Sequence, residues 1–76
     1  MLTIQEALNF YNKSRFYSGP IEKYAMSSKG IVLIVKATQE DIFKGRCVYF
    51  LVDRDGRITP TNPILSDVNK NDVRNL

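Results

Sequence analysis

Seventy-six residues, 43% of them hydrophobic and 25% charged, have the composition of an ordinary globular domain and not of a disordered tail. Eleven Lys and Arg against eight Asp and Glu give a net charge of +3, short of the footprint of a dedicated nucleic-acid binder. One cysteine and no histidine exclude an intramolecular disulfide and a multi-cysteine zinc site, and remove the commonest metal ligand and acid–base catalyst.

The opening "MLTIQEALNF" lacks the basic-then-apolar order of a signal peptide, and the apolar run "IVLIV" is far too short to cross a bilayer. The expectation is a cytoplasmic chain. Thr3 and Glu6 have the spacing of a capping box, Leu2 and Ala7 that of a hydrophobic staple, and Ile4, Ala7, Leu8 and Tyr11 fall on one helical face. A helix therefore starts at Thr3, and Gly19 and Pro20 in "SRFYSGP" close it off.

After Pro20 come short apolar runs separated by turn residues: "IEKYAM", "IVLIVKA", "RCVYFLVD" and "RITPT". They predict four strands. "SSKG" at 27–30 joins the first pair as a tight hairpin, "TQEDIFKG" at 38–45 is a longer connection or one helical turn, and "DRDG" at 53–56 closes the last pair. The tail "ILSDVNKNDVRNL" is open between a short helix capped by Ser66 and an irregular run, because Asp67, Asn69, Asn71 and Asp72 lower helix propensity. The fold class expected for residues 1–76 is a single small α+β domain, with the N-terminal helix packed on a four-stranded antiparallel meander.

The strands are apolar on both faces: Ile31, Leu33 and Val35 against Val32 and Ile34, then Cys47, Tyr49 and Leu51 against Val48, Phe50 and Val52. One helix covers one face. The other needs the tail through Ile64, Leu65, Val68 and Val73, or else a partner chain. We expect a protein interface at Val32, Ile34, Val48, Phe50 and Val52, serving a protein partner or a homodimer; at this length oligomerisation often supplements the core.

The competing reading is nucleic acid. Between residues 13 and 36 the cations Lys13, Arg15, Lys23, Lys29 and Lys36 face only Glu22, and along the chain Tyr11, Phe16, Tyr17, Tyr24, Phe43, Tyr49 and Phe50 are interleaved with cations. Lys13, Arg15, Lys23, Tyr24 and Lys36 would then hold phosphates and stack on bases. "KGRCVYF" resembles an RNP1 strand, but the aromatic places of that pattern are Arg46, Val48 and Leu51 here.

"VDRDGRI" invites comparison with a calcium loop. With Gly56 at position 6, Asp53 and Asp55 fall at 3 and 5, but positions 1 and 12 are Leu51 and Asn62, which leaves too few oxygen ligands. A hairpin tip suits the same letters, since Asp starts turns and Gly accepts a positive φ. Cys47 has no His for a dyad and is expected to be a buried structural thiol, and the glycines at 19, 30, 45 and 56 form no phosphate loop. No catalytic residue, metal ligand or cofactor is expected.

A capped helix followed by a small antiparallel sheet resembles PepSY and cystatin-like modules, where a hairpin such as "YFLVDRDGRI" closes the sheet. It equally resembles the helix-plus-meander opening of Sm-type barrels, although their loop signatures are absent. The likeness is one of layout and implies no activity or residue role. The sequence reading is a noncatalytic interaction module of adaptor or inhibitor type.

Overall fold

The computed structural model describes residues 2–61, 68 and 70–76. Thr3 caps the first helix, α1 (Ile4–Asn12): its hydroxyl accepts the Glu6 N–H at 3.2 Å, and the Glu6 carboxylate accepts the Thr3 N–H at 3.2 Å. Both orphan donors are satisfied, so the helix starts where the box says it should. Its buried face is Ala7 and Tyr11, flanked by half-buried Ile4 and Leu8.

Strands β1 (Ile21–Ser27) and β2 (Gly30–Val35) pair through the tight turn at Ser28–Lys29. Gly30 is required there. A side chain at this position would overlap the Val52 carbonyl oxygen of the neighbouring strand. A short helix, α2 (Gln39–Phe43), precedes β3 (Tyr49–Asp53) and β4 (Ile58–Thr61). Every pairing is antiparallel.

The turn at 53–57 is a hairpin tip. Asp53 Oδ1 accepts the N–H groups of Asp55 and Arg57, each at 2.9 Å, and Gly56 adopts φ +85°. The carboxylate that a calcium loop would spend on the ion holds the backbone of the turn instead. Gly56 also lies under the Phe10 ring, where any side chain would collide with it.

The chain departs from the expected meander at its end. Of the described tail, Lys70–Asp72 is one 3-10 turn and Arg74–Asn75 forms a fifth strand, β5, beside β1. The sheet therefore has five strands in the order β4-β3-β2-β1-β5. The cap expected at Ser66 lies outside the described residues.

Register decides which apolar residues share a face. Leu33 pairs with Phe50 and Ile31 with Val52, so these four lie together under α1, with Val35, Tyr11, Ala7 and Leu2 completing the core. Val32 and Ile34 fall on the opposite face beside Leu51 and Tyr49. The five residues expected to form one interface are thus split: Phe50 and Val52 are helix-side core, and Val48 packs against that core from the lead-in to β3. Within each strand the alternation holds. Between strands the phase is opposite to the one the grouping needed.

Candidate functional site

The second face carries an apolar groove of about 650 Å³. Its apolar lining comes from Val32, Ile34 and Val35 of β2, Ala37, Ile42 and Val48 of the connection, Tyr49 of β3, and Val68 and Val73 of the tail. The two tail valines lie where cover for this face was expected; Ile64 and Leu65 are outside the described residues. Val32 is only 1% exposed.

Glu22 and Lys23 both reach the rim, because a bulge between Ile21 and Lys23 turns two successive residues of β1 toward the groove. They are the charged groups of an otherwise apolar lining.

Beside the groove stands α2, built by a second capping box. The Thr38 hydroxyl accepts the Asp41 N–H at 3.1 Å, and the Asp41 carboxylate accepts the Thr38 N–H at 3.1 Å and its O–H at 2.9 Å. The Thr38 backbone N–H first, then its hydroxyl, with Arg46 a lesser contributor, hold the Asp41 carboxyl below the usual aspartate range. Lys44 meets Glu40 at 2.6 Å and Arg46 meets Asp41 at 3.3 Å, both in solvent, where ion pairs contribute little.

This capped turn presents two apolar side chains outward. Ile42 is 64% exposed while lining the groove, and Phe43 is 92% exposed. Sequence reasoning counted Phe43 only among the aromatics interleaved with cations and gave Ile42 no role. The available signal was an Ile-Phe pair set in an otherwise polar segment, behind a Thr-x-x-Asp box that offered a helix start.

The nucleic-acid set does not come together. Tyr24 is half-buried on the helix side with its ring against the core, while Lys23 points to the groove on the other face. Lys13 sits at the C-cap of α1, the Arg15 guanidinium lies 5.2 Å over the Phe16 ring, and Lys36 is exposed after β2. Phe16, Tyr11, Tyr17 and Phe50 form a chain of rings 5.3–6.2 Å apart; Tyr11 and Phe50 are buried and Phe16 half-buried, while Tyr17 at the end of the chain is 54% exposed.

Cys47 is exposed, not buried. Because β3 begins only at Tyr49, the cysteine lies in the irregular approach to it, and its thiol donates to the carbonyls of Tyr49 at 3.1 Å and Thr61 at 3.4 Å. No helix among the described residues is long and apolar enough to cross a membrane. The chain matches no protein-family model, no curated protein and no solved structure.

Proposed function

We propose that the chain is a noncatalytic protein-interaction module of adaptor or inhibitor type, which contacts its partner through α2 and the mouth of the second-face groove. The observation that supports this reading is Phe43, a large apolar side chain 92% exposed on a helix whose preceding residue already lines an apolar groove. A side chain left in water at that cost to solubility, and held out by a capped turn, is suited to burial in a complex. The purified chain offers itself as the first partner, since each copy carries both a projecting ring and a groove.

Light scattering over a range of concentrations and at two salt levels tests the reading. The expected result is a mass that rises with concentration, is insensitive to salt, and returns to that of a monomer in Phe43→Glu with an unchanged circular-dichroism spectrum. Loss of a buried Phe corresponds to ~2 kcal/mol, roughly thirtyfold in affinity. A chain that stays monomeric throughout, and that captures the same proteins with or without Phe43→Glu, sinks the proposal.

A further inference from the structure

The two edges of the sheet differ in what they can accept. On the β4 edge, the Asp53 N–H donates to the Arg57 carbonyl at 3.0 Å, which fixes the phase of the ladder. Thr59 and Thr61 then bond inward to β3, and Ile58 and Pro60 face outward. Pro60 removes no ladder bond, yet leaves the edge one donor short, which discourages strand addition there.

The opposite edge is β1, seven residues long, of which β5 pairs only with Lys23 and Tyr24. The Leu76 N–H donates to the Glu22 carbonyl at 3.0 Å. The same phase makes Tyr24 and Arg74 a hydrogen-bonded pair and Lys23 and Asn75 a close, non-bonded one. Toward Met26 the chain has already left the ladder for the turn at Lys70–Asp72. Arg74, Asn75 and Leu76 are exposed; Val73 is half-buried and reaches the groove.

We propose that Val73–Leu76 is a placeholder on the β1 edge, displaced by an extended segment of a partner protein that adds antiparallel to β1. The edge accepts an extended strand, because the chain's own C-terminal residues already occupy it in that manner. A longer replacement also reaches Met26, which faces outward in the same phase, beyond the Glu22 and Tyr24 that the tail takes. Its side chains are dictated by the places they take: an apolar residue where Val73 enters the groove, and an acidic one where Asn75 faces Lys23 across a close pair. The inference rests on the reading of the chain as an interaction module and specifies the backbone mode of binding.

Locking the placeholder tests it in the full chain. With Cys47→Ser to remove the native thiol, Lys23→Cys and Asn75→Cys introduce a disulfide at the non-bonded pair, where antiparallel geometry brings the chains closest. The probe is a synthetic peptide with the sequence of residues 70–76, followed by amide NMR shifts. The reduced form is expected to bind with shifts confined to β1 and the groove, and the oxidised form at least about tenfold more weakly, because apparent affinity scales with the open fraction.

Arg74→Pro, which deletes the donor to the Tyr24 carbonyl, is expected to bind the peptide more tightly than the unmodified chain. Equal binding by oxidised and reduced forms, binding by neither, or an Arg74→Pro affinity no higher than that of the unmodified chain each overturns the placeholder. Phe43→Glu is measured by light scattering with β1, the tail and Cys47 unaltered, so its outcome is read apart from the peptide shifts and the two proposals fail separately.

Discussion

Tyr11 shows how one residue joins the helix to the segment that follows it. Its side chain is fully buried, and its hydroxyl is satisfied twice: it donates to the Gly19 carbonyl and accepts the Ser18 N–H, both at 2.8 Å. The ring stacks at a tilt against Tyr17 and Phe50. The hydroxyl thereby fixes where the chain turns into β1. Tyr11→Phe keeps the ring and strands both backbone partners, so the expected loss is about 1–2 kcal/mol, read as a lower midpoint in urea with an unchanged slope. A variant as stable as the parent would mean that water satisfies both groups. Burial, opposed by the Ser18 hydrogen bond and aided by Tyr17, pushes the phenol above its usual value. A raised value means that this contribution is complete below the ordinary tyrosine range and fades as the pH rises through and beyond it.

At the scale of elements, what was legible in the sequence depended on whether the signal was local. The α1 box, its apolar face and both tight turns are encoded within a few residues, and the structure has them where the spacing puts them. The β2–β3 register is not local. Thirteen residues, 36–48, separate those strands, and no tight turn sets their phase, so the grouping of Val32 with Phe50 could not be checked from alternation alone. β5 is less legible still, because a two-residue strand of Arg and Asn is made by backbone pairing and carries no pattern. The cap of α2 went unread in a segment expected to be a longer connection or one helical turn, although Thr38 and Asp41 have the spacing of a Thr-x-x-Asp box. It also carries a pH prediction: the depressed Asp41 carboxyl contributes fully above the ordinary aspartate range, and its contribution is lost as the pH falls through the lower, folded value. The Thr38 amide resonance should accordingly titrate with a midpoint below that of an unperturbed aspartate. A midpoint at or above the unperturbed value would mean that the box does not hold in solution.

For the molecule as a whole, the question is what a net charge of +3 accomplishes. Affinity for single-stranded nucleic acid requires cations along a path and rings turned outward between them. Here Lys23 and Tyr24 are neighbours in sequence on opposite faces of one strand, and the ring of Tyr24 packs against the core. Phe16 is half-buried beneath Arg15, and Phe50 is 3% exposed. Tyr17, 54% exposed, is one open ring and not a series along a cation path, so attraction to polyanions should be mainly Coulombic. Fluorescence anisotropy with a labelled oligonucleotide is expected to show weak binding at low salt that disappears at physiological ionic strength, with Tyr24→Ala no weaker than the parent. Binding that survives salt and falls with Tyr24→Ala would require Tyr24 to leave the core. That outcome would transfer the functional surface from the groove and α2 to the basic segment at 13–36.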